Sequence, residues 1–225
     1  MVENEICNNL EVELRKILRR FKPSQLDEQL LTACPFYEPE NKELASAYRL
    51  IHDIAKSRLL AKLQLKLSEI AVASEVPLEF GCVDGVAGSR VGLTNGDNDV
   101  AFIEIKTGRT KLVQPAIYTF LSGTKTLVVD LRSGDVLTID VRTAERIVDE
   151  LVAHLKDKEK LRELGKRVPG AECWYCRADC EHKRDKECGR RRDGNPLKAL
   201  QLVLGNIDAV VDGIVAEVLE DVRGR

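Results

Sequence analysis

The chain has 225 residues, 44% hydrophobic and 32% charged, and its 35 basic against 37 acidic side chains leave a net charge of -2. That length fits one domain with an elaboration, and the charge balance excludes a uniformly basic nucleic-acid binder, so any such affinity rests on local patches. No run approaches the roughly 18 consecutive apolar residues of a membrane span, and the acid-rich, amphipathic start "MVENEICNNLEVELRKILRR" does not read as a targeting segment, so no membrane partner and a cytoplasmic location are expected.

Residues 3 to 21 carry Ile6, Leu10, Leu14, Ile17, Leu18 and Phe21 at helical spacing. In "KPSQLDEQLL", Ser24 followed three residues later by Asp27 predicts a capped short helix that delivers Cys34. From Asn41 to about Leu67 no Gly or Pro interrupts the series Leu44, Tyr48, Ile51, Ala55, Leu59 and Leu63, which predicts the longest helix. The pattern then changes. "SEIAVASEVPLEF", "CVDGVAGSRVGL" and "VAFIEIK" are short, rich in Val and Ile, and separated by turn residues, so they read as strands, the last two paired antiparallel through "TNGDND". "LVQPAIYTFLS" follows as a helix whose Pro115 suits a first turn, with its start at or just before Gln114. "TLVVDLRSGDVLTID" predicts a hairpin turning at Ser133 and Gly134, and "TAERIVDELVAHLKDKEKLRELGKR" a helix capped by Thr143. A Cys-rich, charged loop from Val168 to about Pro196 precedes a terminal amphipathic helix over about 196–222. The organisation is a single domain over 1–225, with a core of about 41–165 and an added element built from about 22–40 plus 168–195.

Asp84 stands inside one apolar run, and Glu104 and Lys106 inside the next. Residues two apart in a strand share a face, so Glu104 and Lys106 project together, and pairing with the neighbouring strand brings Asp84 beside them. Buried carboxylates are costly without compensating charge, and a divalent cation supplies it. Such a cation polarises a phosphoryl oxygen and acidifies a bound water, while a lysine orients that water or stabilises developing charge. This is the chemistry of phosphodiester hydrolysis. On the next helix Gln114 and Tyr118, four apart, share a face.

Seven cysteines are many where disulfides are rare. Cys7 in a helix and Cys82 in a strand read as small buried hydrophobes. Cys173 and Cys176 form a C-x-x-C pair able to clamp one metal site, and thiolates select zinc or iron-sulfur centres.

Taken in order, "PSQLDEQLLTACPFYE", His52 in the long helix, "VDGV", "EIKTGR", "QPAIY" and the terminal cysteines resemble the RecB-like nucleases of the PD-(D/E)XK superfamily, and more narrowly their CRISPR-associated iron-sulfur exonuclease branch. The resemblance covers roughly residues 20 to 188. It implies an α/β fold with a restriction-endonuclease-like mixed sheet flanked by helices, and a helical, cysteine-rich iron-sulfur extension. It implies that His52, Asp84, Glu104 and the main-chain carbonyl of Ile105 bind Mg2+ or Mn2+, that Lys106 assists the attacking water, and that Gln114 and Tyr118 position the DNA strand. It further implies a 4Fe-4S cluster on Cys34, Cys173, Cys176 and a fourth cysteine, closing a loop of about 140 residues and constraining the unfolded chain by about 5 kcal/mol. Here the spacing departs from the family's, so Cys180 and Cys188 both stand as fourth ligands, Cys180 favoured because local chelation is simpler, and a 2Fe-2S centre or zinc stays open.

The activity implied is metal-dependent exonuclease action on single-stranded DNA ends, trimming fragments before a CRISPR integrase complex inserts them in antiviral defence. A RecB-like recombination or repair nuclease, or a non-cleaving iron-sulfur binding module, are the alternatives. Arg177, Lys183, Arg184, Lys186, Arg190, Arg191 and Arg192, with Trp174 and Tyr175, are the residues near the cysteines able to meet single-stranded DNA, chiefly through its backbone. His154 and His182 carry no role.

Overall fold

The computed structural model describes residues 2–27, 31–38, 46–66, 70–89, 100–108, 110–170, 172–173, 176–182 and 196–223. The elements run α1 (Val2–Leu18), a 3-10 turn (Pro23–Gln25), α2 (Ser46–Lys66), β1 (Ile70–Leu78), β2 (Gly81–Ser89), β3 (Val100–Lys106), α3 (Val113–Ser122), β4 (Thr126–Asp130), β5 (Asp135–Ile139), α4 (Val141–Glu163), α5 (Pro196–Gly205) and α6 (Ile207–Arg223). The strands form one sheet in the order β1-β2-β3-β4-β5. Only β3 and β4 pair in parallel, and the antiparallel pairs on either side make the sheet mixed. A parallel pair needs a crossover, and α3 is that crossover.

Helices cover both faces of the sheet. On one, Ile51, Ala55, Leu59 and Leu63 of α2 meet Ile103, Ile105, Leu127 and Val129, and α6 adds Val210 and Ile214 to the same cluster. On the other, Ile117 of α3 packs with Leu14 of α1 and Val148 and Leu151 of α4. Strands buried on both faces read as continuous apolar runs, which is why "VAFIEI" and "TLVV" show so little alternation. The chain is therefore α/β, a five-stranded mixed sheet flanked by helices, as the sequence predicts. None of the described helices is long and apolar enough to cross a membrane.

Local chemistry moves three expected features. The cap of α4 is Asp140, not Thr143: Asp140 is extended, and its carboxylate accepts the Thr143 N–H at 2.7 Å. Asp27 does not close a capping box with Ser24, because its carboxylate pairs with Lys111; the Lys22 N–H is taken instead by Gln25 Oε1 at 2.8 Å. The terminal helix is two helices. Between α5 and α6, Asn206 donates from Nδ2 to the carbonyls of Leu131 and Arg132, both at 3.1 Å, and so anchors the break to the β4–β5 turn. The "TNGDND" turn, residues 41–45 of the long helix and most of the charged loop before α5 lie outside the described residues.

Each Asn206 bond contributes about 1 kcal/mol. Asn206→Ala should lower unfolding stability by about 2 kcal/mol, read as a lower urea midpoint at unchanged slope.

Candidate active site

The hairpin of β1 and β2 changes face part-way along its length. Val72 and its partner Ala87 pack on the α2 side of the sheet, whereas Val76 and its partner Val83 pack with Phe102 and Tyr118 on the α3 side. Residues four apart in a regular strand cannot do this. The slip is at Glu75 and Asp84, which stand opposite each other but are missing from an otherwise continuous ladder, and Glu75 has a left-handed φ of 53°. Irregularities of this kind re-aim one side chain. Here it is Asp84. A glycine, Gly85, follows it, and a Cβ there would stand 2.8 Å from the Leu60 Cδ2 methyl of α2, which would have to move aside.

The β2–β3 ladder ends at Gly85 and Ile103. Beyond that pair Asp84 Oδ2 accepts the Ile105 N–H at 2.8 Å, so a side chain takes the place of the missing strand partner. Asp84 Oδ1 lies 3.4 Å from His52 Nε2, and Thr107 Oγ1 lies 3.5 Å from the ring's other nitrogen. On β3, Lys106 Nζ donates to Glu104 Oε1 at 2.7 Å and approaches Gln114 Oε1 at 3.4 Å. Gln114 Nε2 in turn donates to Tyr118 Oη at 3.1 Å. Tyr118 fits only over a glycine, since a Cβ on Gly81 would stand 2.3 Å from its hydroxyl. His52 and Asp84 thus form one bonded set and Glu104, Lys106, Gln114 and Tyr118 another at the open end of β2 and β3, and the two act on each other through their charges. Ile105 contributes its N–H.

The two carboxylates are held differently. Burial pushes Asp84 up, but the His52 contact and the Ile105 N–H outweigh it and leave its pKa below the ordinary value. Burial dominates at Glu104, and with the Asp84 charge nearby it raises that pKa despite Lys106. Glu104 Oε2 is buried with no hydrogen-bond partner. An orphaned buried carboxylate oxygen costs free energy unless a cation faces it. Burial likewise raises the Tyr118 phenol, which stays protonated.

Cys82 corrects an expectation: it is exposed, and partial desolvation together with the Glu75 and Asp84 charges pushes its thiol up. The Cys7 side chain lies outside the described residues. Two neighbours of the site escaped sequence reading, Lys56 and Glu75, paired at 2.7 Å. Lys56 had a signal, because it follows His52 by one helical turn; the φ of Glu75 had none.

A second cluster brings Cys34, near the start of the chain, to the segment that follows α4. Cys34, Cys173, Cys176 and Cys180 line one small cavity of about 20 Å3, together with His182 and Arg167. Cys34 Sγ accepts the Val168 N–H and Cys176 Sγ the Glu38 N–H, each at 3.4 Å. Cys188, Trp174, Tyr175 and the basic run 183–192 lie outside the described residues. His154 is exposed and bonded to the Glu150 carbonyl. Among the described residues no three His, Cys, Asp or Glu side chains stand close enough, as placed, to hold a metal ion. The donor chemistry fits nonetheless: four thiols about one cavity suit a thiolate-bound centre, and an orphaned carboxylate oxygen beside a second carboxylate suits a hard cation. No protein-family model, curated protein or solved structure matches the chain.

The carboxylate asymmetry sets a pH signature for the chelator-treated protein. Because Glu104 is raised, its contribution to stability is full below its ordinary value of 4.5 and is lost as pH rises through the folded value. Glu104→Gln should therefore raise the melting temperature at pH 7 and lose that advantage as the pH falls to about 4. Asp84 has the opposite sign, stabilising above its ordinary value. Asp84→Ala should cost about 2 kcal/mol at pH 7 through the hydrogen bonds it removes, measured by urea unfolding.

Proposed function

We propose that this chain is a divalent-metal-dependent DNA exonuclease of restriction-endonuclease-like fold, acting on single-stranded ends. One observation carries the reading: the buried, unpartnered Oε2 of Glu104 next to Asp84, with the Lys106 ammonium on the other oxygen. Glu104 and Asp84 would hold Mg2+ or Mn2+, with His52 and the Ile105 main chain beside them. When bound, the ion supplies Lewis acidity to the scissile phosphate and acidifies a water. The chain's residues do the rest. Asp84, fixed by the Ile105 N–H, stays ionised over the working pH range. Lys106, its side chain 14% exposed, would place its ammonium where negative charge develops on the phosphoryl oxygens. Gln114 restrains that lysine, and Tyr118 restrains Gln114.

Cys34, Cys173, Cys176 and Cys180 would hold the 4Fe-4S cluster, and the two backbone N–H bonds to their sulfurs are of the kind that tune thiolate ligands. The narrower role, trimming DNA fragments for a CRISPR integrase complex in the cytoplasm, rests on the motif resemblance.

The assay uses single-stranded oligonucleotides labelled at one end or the other, with Mn2+, Mg2+ or a chelator. Progressive shortening from one end is expected with metal, and Asp84→Asn should lower it by at least 100-fold, on the order expected for a lost catalytic electrostatic contact. No shortening with either metal would overturn the reading. The purified protein should also be brown. Cys34→Ala and Cys180→Ala should each lose the broad visible absorbance and melt at lower temperature, because a bound centre contributes to folding; undiminished colour in Cys180→Ala would remove that residue from the ligand set.

A further inference from the structure

The Lys56–Glu75 pair sits at the point where the hairpin changes face. Glu75 is the one described non-glycine residue with positive φ, a conformation that costs about 1 kcal/mol. It stands opposite Asp84 in the broken ladder, and its carboxylate reaches Lys56 at 2.7 Å. The two exposures differ sharply: the Lys56 side chain is 13% exposed and that of Glu75 68%. The lysine is therefore built in and the glutamate lies over it. Lys56 is one turn along α2 from His52 and on the same face, and the Asp84 charge acts on it as well as that of Glu75. Burial works against its charge, yet these carboxylates outweigh burial and hold its pKa above the ordinary value.

Exposed ion pairs contribute little, about 0 to 1 kcal/mol. Stability alone is thus a weak reason to hold a residue in the left-handed region on a strand. A carboxylate and a phosphodiester oxygen accept from an ammonium in the same way.

We propose that Lys56 is a backbone-phosphate site of the nucleic-acid strand, next to the phosphate being cleaved, and that Glu75 is its displaceable placeholder. This rests on the nuclease reading, and it makes the two members of one ion pair act with opposite sign. Lys56→Ala loses a phosphate contact and weakens binding. Glu75→Gln removes the competing carboxylate, keeps the side chain's size, and tightens binding.

The experiment measures binding of a short single-stranded oligonucleotide in Ca2+ at several salt concentrations, for wild type, Lys56→Ala, Lys56→Arg and Glu75→Gln, each checked for folding by urea midpoint. Lys56→Ala should weaken binding several-fold and reduce the magnitude of the log affinity against log salt slope by about 0.7, one single-strand phosphate contact. Lys56→Arg should restore that slope, and Glu75→Gln should bind more tightly than wild type. Equal weakening by both pair-breaking variants, or an unchanged slope in Lys56→Ala, overturns the proposal and leaves the pair structural. Cleavage is followed in parallel in Mn2+, and its loss with unchanged affinity in Glu75→Gln also overturns the proposal, making Glu75 a metal ligand. Wild type that neither binds nor cleaves the strand defeats the nuclease reading itself, and with it this one; failure of the variants alone defeats only the phosphate site.

Discussion

The bond from the Ile105 N–H to Asp84 Oδ2 is the constraint around which the site is arranged. Two strands that stayed paired to their ends would leave no room for a reacting group between them. Strands that part without replacement leave buried donors unsatisfied, at about 1 to 3 kcal/mol each. Asp84 resolves this by accepting one such donor with a side chain, and the remaining oxygen is left facing His52. The gap in the sheet is thereby stable as well as open. The left-handed Glu75 and the glycine after Asp84 are the local means of turning that side chain into the gap.

From that bond the electrostatics divide. Asp84 has its charge stabilised by protein donors, whereas Glu104 has one oxygen on Lys106 and one on nothing. Two carboxylates made alike would either both resist ionisation or both be content without a partner. The unequal pair combines a fixed anion with an unsatisfied one, so that a cation, if one is bound there as proposed, would relieve the burial cost of the second. The Lys106 charge acts on both carboxylates, but its hydrogen bond goes to Glu104 alone, and at Glu104 it does not outweigh burial.

Much of this was legible in the sequence, for identifiable reasons. Strand alternation put Glu104 and Lys106 on one face, helical spacing put Gln114 and Tyr118 together, and short Val- and Ile-rich runs between turn residues marked the strands. These depend on period, which a sequence displays. The slip at Glu75 and Asp84 was invisible because it breaks the period, through a backbone conformation that glutamate does not advertise. Cys82 was misjudged for the same reason, since alternation through "CVDGV" fails at Asp84. Asn206 was hidden because its partners are the carbonyls of Leu131 and Arg132, some 75 positions earlier, a distance on which local propensity is silent.

The cysteine element obeys different physics from the sheet. Around Cys34 and Cys173 the ties between distant segments are polar or cationic: the Arg177 N–H donates to the Glu38 carbonyl at 2.8 Å, and Arg162 and Arg167 stand 5.9 and 4.3 Å from the Phe36 ring. Such contacts contribute about 1 kcal/mol apiece, against ordering costs of about 1 to 2 kcal/mol for each backbone residue held. The sheet, by contrast, is closed by two apolar clusters that include none of these cysteines. A centre bound by four thiolates would add a strong link between segments about 140 residues apart, without altering the packing that positions Asp84 and Glu104. Order in the cysteine element and order in the gap between β2 and β3 therefore rest on different contacts, with α4 shared between them: its Leu151 packs in the core while Arg162 near its end reaches Phe36.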